Sequence, residues 1–256
     1  MRGSRVVGYL IGIRKNDEIW GPNMWVDAAG HAVETAEDVR DLYAAAAARW
    51  VEEERVRHFA MLPAWDAGLV EAWSRLSFGQ QHASGIREVP DVSWPEGVRR
   101  ASADDMDALV ELDPLLQGHQ LLAPVFSGGG FSHESDEELR AELLEDIEND
   151  AIGNLIAERD GRVVGAFQVS PAEHGGIHAG LARPNGAALI NWAATQPDVR
   201  GSGAGLALTQ GAFTWAREHG YETMVTDWRV TNLLSSRFWP ARGFRTTFLR
   251  LYRHIP

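Results

Sequence analysis

The chain has 256 residues, 45% hydrophobic and 23% charged, which suits one large globular domain or two modest ones. It contains no cysteine, which excludes disulfides, thiolate metal sites and a cysteine nucleophile. A formal net charge of -12 argues against nucleic acid as a partner and is compatible with an amine substrate or simply with solubility.

The opening Met1-Arg2-Gly3-Ser4-Arg5 leads into a short strand-like stretch rather than a signal peptide. No apolar run of about eighteen residues occurs, so no membrane contact is expected, and the reading is a cytoplasmic protein. Two internal echoes follow along the chain. Gly3-Ser4-Arg5-Val6-Val7-Gly8-Tyr9 matches Asp160-Gly161-Arg162-Val163-Val164-Gly165-Ala166, and Ala72-Trp73-Ser74-Arg75-Leu76-Ser77-Phe78 matches Phe238-Trp239-Pro240-Ala241-Arg242-Gly243-Phe244. An alanine-rich helix is expected near Leu42 to Val56.

Residues 89–97 carry two prolines, a glycine and two acids and read as an extended linker, so the expected domains are 1–88 and 98–256. Val98-Arg99-Arg100 suits a short strand, and Ser102 with Asp105 predicts a capping-box start to a helix through Met106, Leu109, Val110 and Leu112. Gln117 to His133 reads as loop, and Asp136 to Asn149 as a helix. Strands are predicted at Asn154 to Glu158 and Arg162 to Ser170, joined by a hairpin at Asp160-Gly161. A strand from Ala187 to Thr195, a helix from Gly205 to His219 ending at Gly220, a strand from Thr223 to Asp227, a helix from Leu233 to Ala241 and a strand from Thr246 to Tyr252 complete an α/β order.

Between the Ala187–Thr195 strand and the next helix stand Gln196-Pro197-Asp198-Val199 and then Arg200-Gly201-Ser202-Gly203-Ala204-Gly205. Glycines at a helix start expose backbone N–H groups and the positive end of the helix dipole, an arrangement suited to a pyrophosphate. The P-loop pattern would require Gly-Lys-Ser/Thr, and no lysine is near. A dinucleotide fingerprint would require a third glycine where Leu208 stands.

The spacing of Arg200, Gly203 and Gly205 resembles the pattern of the GNAT superfamily of N-acetyltransferases. Asn232, Phe238-Trp239 and Gly243-Phe244 resemble that family's second motif, and the resemblance covers roughly residues 98–256. It implies a mixed central sheet with splayed strands flanked by helices, and acetyl-CoA as cosubstrate for direct attack by an amine. On this basis Ala193, Ala194 and Thr195 would pair with the pantetheine arm, and Thr195 would also supply an oxyanion N–H. Val199, Arg200, Gly201, Ser202, Gly203, Ala204 and Gly205 would hold the pyrophosphate, with Asn232, Ser235, Phe238 and Trp239 further along the cosubstrate.

The sequence departs from the family in two places. Trp239 stands where relatives often carry an acidic tyrosine, and an indole N–H does not titrate near neutral pH. Asn191 and Trp192 stand where a strand carboxylate is common. Asp227 is the nearest downstream acid, with a base role and a hydrogen-bonding or Arg229-pairing role both open. His119, His133, His174 and His178 fall in segments read as loops, and no residue set has convincing metal-ligand spacing, so no metal is expected.

An offset of 166 (239 minus 73) places Asp66 opposite Asn232, Glu37-Asp38 opposite Gly203-Ala204 and Val39 opposite Gly205. Acids and a branched side chain there would repel and crowd a pyrophosphate. The first half therefore reads as a smaller, partial GNAT-like α/β domain, degenerate in its cofactor loop and incomplete at its N-terminal side. The leading function is acetyl transfer to a primary amine of a small molecule. A non-catalytic acyl-CoA sensor and a protein-lysine acetyltransferase are the alternatives, and a homodimer is left open.

Overall fold

The computed structural model of the protein describes residues 3–17, 20–127, 135–175 and 180–256. Gly128-Gly129-Gly130, His133 and His178 lie outside the described residues. In chain order the elements are β1 (Gly8–Leu10), β2 (Ile13–Asp17), β3 (Gly21–Val26), β4 (His31–Val33), α1 (Asp38–Glu52), β5 (Arg57–Pro63), α2 (Ala67–Ser74), β6 (Gly79–Glu88), β7 (Val98–Arg100), α3 (Met106–Leu112), α4 (Pro114–Leu121), α5 (Asp136–Glu148), β8 (Gly153–Arg159), β9 (Arg162–Pro171), β10 (Ala187–Thr195), α6 (Ala204–Glu218), β11 (Thr223–Arg229), α7 (Ser235–Ala241) and β12 (Arg245–His254). The offset found in the sequence has direct structural counterparts: adding 166 to the bounds of α1, β5 and β6 gives those of α6, β11 and β12.

The chain divides into two compact units. The first runs to Gly85 and also holds a short stretch ending at Ala182 and Asp227–Pro256; the second holds the remainder. The division passes through β6 and β11.

In the first unit, β2 pairs antiparallel with β3, β3 parallel with β5, and β5 antiparallel with β12. Thus β12, which belongs to the second half by sequence, runs beside β5 of the first half, with Tyr252 opposite Phe59. Strand pairing of this kind is set by which edges are available, and local sequence pattern carries no trace of it. β1 pairs only with β4, in a separate two-stranded sheet. The echo between Gly3–Tyr9 and Asp160–Ala166 therefore does not mark equivalent strands, because β9 is bonded to β8 and β10 in the large sheet.

The core of the first unit forms around α1 and α2, from Val39, Tyr43, Trp50, Leu69 and Trp73, with Met24, Leu62 and Leu251 from the strands. Trp73 is fully buried and meets Tyr43 and Phe78 edge-on at ring distances of 5.5 and 4.7 Å. Burying polar tips requires partners. His58 Nε2–H donates to the Arg55 carbonyl at 2.7 Å, and burial favours the neutral imidazole, whose Nδ1 accepts from the Tyr43 hydroxyl at 2.8 Å. Asp66 caps α2 by accepting from the Leu69 N–H at 2.9 Å.

In the second unit the strand order is β11-β10-β9-β8-β7. Asp160 and Gly161 both have positive φ, 50° and 73°, the geometry that the tight β8–β9 hairpin demands. α6 buries Leu208, Ala212, Phe213, Trp215 and Ala216 on one face of these strands. The opposite face carries Leu109 and Leu112 of α3 against Ile156 and Ala166, with Leu143, Ile147 and Trp192 packed around them. The Ser102–Asp105 capping box forms as the sequence indicates, with the Asp105 carboxylate also held by Arg99 at 2.7 Å.

One expectation for the second unit is corrected. Gln117 to Leu121 is helical within α4, because Pro114 at its first turn starts a helix that the polar composition concealed; His119 therefore sits in a helix. Residues 89–97 contain no regular element yet lie along α6, where the Trp94 indole donates to Glu218 at 2.8 Å and Thr214 Oγ1 to the Val92 carbonyl at 3.4 Å.

Candidate functional site

The glycine loop stands in the second unit, between β10 and α6. β10 pairs with β11 in parallel only over Ala187–Leu189, opposite Thr223–Val225. Beyond a bulge between Ile190 and Trp192 it continues to Thr195 paired with β9. The Gln196 N–H donates to the Val164 carbonyl at 2.9 Å, and backbone direction alternates along a strand. Ala194 therefore turns its N–H and C=O toward β9, while Ala193 and Thr195 turn theirs to the opposite edge. Among the described residues, no strand pairs with that edge past Leu189.

At the end of this strand a single 3₁₀ turn at Pro197–Val199 leads into the loop. Gly201 and Gly203 have φ of 81° and 97°, a left-handed backbone that a residue with a Cβ adopts only at a cost. Gly203 is the N-cap of α6, and the first bond into the helix runs from the Ala207 N–H to the Gly203 carbonyl at 3.0 Å. The N–H groups of Ala204, Gly205 and Leu206 precede that bond, and no acidic side chain stands in the first turn. Arg200, Gly201, Ser202 and Gly203 are exposed, Val199 and Gly205 half-buried, and Ala204 buried. The result is a run of donors at the positive end of a helix dipole, suited to an anion.

Sequence reasoning missed two arginines that support this loop. Arg159, ending β8, donates from Nη2 to the Ser202 carbonyl at 2.6 Å and reaches within 3.7 Å of the space beside Gly203. Arg162, starting β9, pairs with Asp198 at 2.8 Å and holds that carboxyl below the usual carboxylate range. The pair is exposed and contributes little stability; its effect is to offset the one acid beside the loop. Both arginines flank the Asp160-Gly161 turn, so the hairpin signal could have pointed to them.

The other predicted cosubstrate and catalytic residues, Asp227, Asn232, Ser235, Phe238 and Trp239, lie in the first unit. Asp227 is mostly buried, with 16% of its side chain exposed, and its Oδ2 lies 3.3 Å from His82 Nδ1. Burial pushes its carboxyl up to about 6, and Arg250 and Arg229 pull the other way. Arg229 Nε and Nη1 have no hydrogen-bond partner among the described residues, while the charges of Asp227 and Arg229 act on each other and His82 is a close neighbour of the acid. His82 was missed because β6 lies far from Asp227 in sequence.

Asn232 is buried, and its Oδ1 accepts from the Leu234 and Ser235 N–H groups at 3.0 and 3.3 Å, so its carbonyl end is committed to the start of α7. This is the role Asp66 has at α2, as the offset of 166 suggests. The Ser235 hydroxyl is buried without a partner among the described residues. Trp239 is buried against Phe238 and Phe244, at ring distances of 4.9 and 5.4 Å. His174 is an exposed residue of a 3₁₀ turn.

In the first unit, α1 starts where α6 does under the offset but with opposite chemistry. Its N-cap is Glu37, Asp38 and Asp41 stand in the first turn, and Val39 is fully buried where α6 has Gly205. Glu37 is ion-paired to Arg40 and Arg75.

The pattern of the Acetyltransferase (GNAT) family matches residues 116–244. No curated protein matches the chain at the sequence level. Solved structures of similar fold include a GCN5-related N-acetyltransferase from Sphaerobacter thermophilus, at 12% identity and TM-score 0.58 over 95% of this chain and 76% of that one. A second, from Kribbella flavida, shares 16% identity and TM-score 0.52 over 97% and 88%. A tandem GNAT protein from the clavulanic acid biosynthesis pathway shares 14% identity and TM-score 0.51 over 99% of this chain and 81% of its own. The strand-loop-helix at β10 and α6 lies within the matched segment, which spans just over half of the chain: the protein belongs to the acetyltransferase (GNAT) family.

Proposed function

We propose that the protein transfers an acetyl group from acetyl-CoA to a primary amine of a small molecule. The observation that carries this reading is the loop Arg200–Gly205, with two left-handed glycines ahead of an acid-free helix start, at the end of a strand whose edge past Leu189 pairs with no other strand among the described residues. The pyrophosphate binds the first-turn amides of α6, and the pantetheine arm runs along the outward backbone groups of Ala193 and Thr195. Asn232, Ser235, Phe238 and Trp239 serve the thiol half of the cosubstrate, Ser235 through its buried hydroxyl, which has no partner among the described residues.

In the reaction the amine nitrogen attacks the thioester carbonyl carbon, a tetrahedral oxyanion forms, and the carbon–sulfur bond breaks to give the amide and a thiolate. The Thr195 N–H stabilises the oxyanion as a preorganised donor. Asp227 takes the proton lost by the amine, a role suited to a carboxyl pushed up to about 6 beside His82. Trp239 supplies no proton to the departing sulfur, which leaves as the thiolate.

The first 88 residues form a GNAT-like half that does not take acetyl-CoA, since acids occupy the start of α1. The lack of cysteine fits work in a reducing cytoplasm.

Thermal unfolding with and without acetyl-CoA tests the reading, because a ligand at about 100 times its dissociation constant adds roughly 2.7 kcal/mol. No shift would remove acetyl-CoA from the account. An amine panel with a free-thiol readout then separates a transferase from an acyl-CoA sensor, and turnover on peptides alone would favour a protein-lysine acetyltransferase.

A further inference from the structure

Two arginines of the first unit, Arg229 and Arg250, are both acted on by a single acid, Asp227. Arg250 of β12 is 5% exposed; its Nε donates to Gln81 Oε1 at 2.9 Å, and its guanidinium lies 5.1 Å from the centre of the Trp20 ring and 5.6 Å from that of Trp25. Arg229 of β11 is half-buried, with Nε and Nη1 sealed from solvent and no acceptor among the described residues. Asp227, two residues from Arg229, projects from the same face of β11, and it is the acid whose charge acts on both arginines. Burial and the charge of Arg229 push Arg250 down to about 9.

Sealing guanidinium donors away from water without an acceptor is costly, and a second buried guanidinium beside the first raises that cost. A ligand that brings an acceptor and one negative charge would relieve both. Two guanidiniums and Asp227 leave one positive charge, which a carboxylate monoanion cancels; a phosphate dianion would leave the buried cluster negative. The planar edge of a guanidinium also matches a carboxylate through paired N–H···O bonds.

We infer that Arg229 and Arg250 bind the carboxylate of the acceptor, so that the substrate class is an amine that also carries a carboxylate, an amino acid or a compound built like one. The inference deepens the acetyl-transfer reading and rests on it for the word acceptor. The indoles of Trp20 and Trp25 beneath Arg250 supply an apolar wall for the rest of the molecule.

The experiment compares matched probes: lysine with cadaverine, histidine with histamine, tryptophan with tryptamine, and phosphoethanolamine with ethanolamine. Thermal unfolding is followed without acetyl-CoA in the wild type and in Arg229→Gln and Arg229→Lys. At least one carboxylated member is expected to raise the melting temperature where its decarboxylated partner does not, with the shift lost in Arg229→Gln and partly kept in Arg229→Lys. In turnover, Arg229→Gln should raise KM for the carboxylated amine by about tenfold or more, the scale of a lost charge-assisted hydrogen bond, while KM for acetyl-CoA stays the same. A wild type that no carboxylated amine protects, a preference for phosphoethanolamine, or an Arg229→Gln effect equal for both members of a pair overturns the inference. These readouts separate the two ideas: protection by a carboxylated amine without any shift by acetyl-CoA would sink the acetyl-transfer reading and keep the carboxylate site, and the converse would do the opposite.

Discussion

His82 Nδ1 lies 3.3 Å from Asp227 Oδ2, so β6 presents an imidazole to the acid that closes the series of predicted residues on β11. Burial of this pair favours a neutral carboxyl, while Arg250 and Arg229 oppose that tendency. The balance leaves Asp227 titrating near 6, within the range where a general base changes activity under mild conditions.

If Asp227 is the base, kcat/KM for the amine falls as pH drops below about 6, the value to which burial raises its carboxyl. Asp227→Asn should reduce kcat by about a hundredfold or more and remove the acid limb at Asp227's position in the pH profile. A variant that keeps both the rate and the limb would show that the base is elsewhere.

Gly203→Val places a branched side chain at φ 97° and beside the Arg159 guanidinium. The backbone strain alone costs about 1–2 kcal/mol. The stabilisation by acetyl-CoA should disappear while the variant still unfolds cooperatively in a melting experiment. Retention of the full acetyl-CoA shift would place the cosubstrate away from this loop.

Isothermal titration with acetyl-CoA should give one site per chain. Val39, Asp38 and Glu37 occupy in α1 the positions that Gly205, Ala204 and Gly203 occupy in α6, so only α6 offers a start that admits a pyrophosphate. Two sites per chain would refute the reading of the first half.

Burial pushes the pKa of both His31 and His58 downward. The unfolded chain therefore binds protons more readily than the native one at these positions. Their contribution to stability is complete above the ordinary histidine value of about 6.5 and is lost as pH falls through the lower native values. Asp227, shifted upward, works in the opposite sense. Urea unfolding at pH 8 and pH 5 should accordingly show a larger acid loss in the wild type than in a His31→Gln/His58→Gln variant; equal losses would contradict this assignment.

Trp73→Ala should destabilise the first unit by about 3–5 kcal/mol, since it empties a fully buried site ringed by His31, Tyr43 and Phe78. Denaturant melts would show a lower midpoint, and a change below about 1 kcal/mol would mean that the site collapses around the loss.

Local chemistry in the sequence sufficed for the β10 strand, the glycine loop, the start and end of α6, and the capping box at Ser102 and Asp105. Each depends on residues within a few positions of one another, where backbone sterics and caps act. The offset of 166 also carried real information, because the paired elements repeat the same local signals in the same order. Tertiary structure alone decided that β12 runs beside β5, that residues 89–97 lie along α6, that Arg159 braces Ser202, and that His82, Asp227, Arg229 and Arg250 form one charge cluster. Those relationships join residues tens to more than a hundred positions apart. Strand-edge pairing and burial create them, and neither is encoded in the spacing of neighbouring side chains.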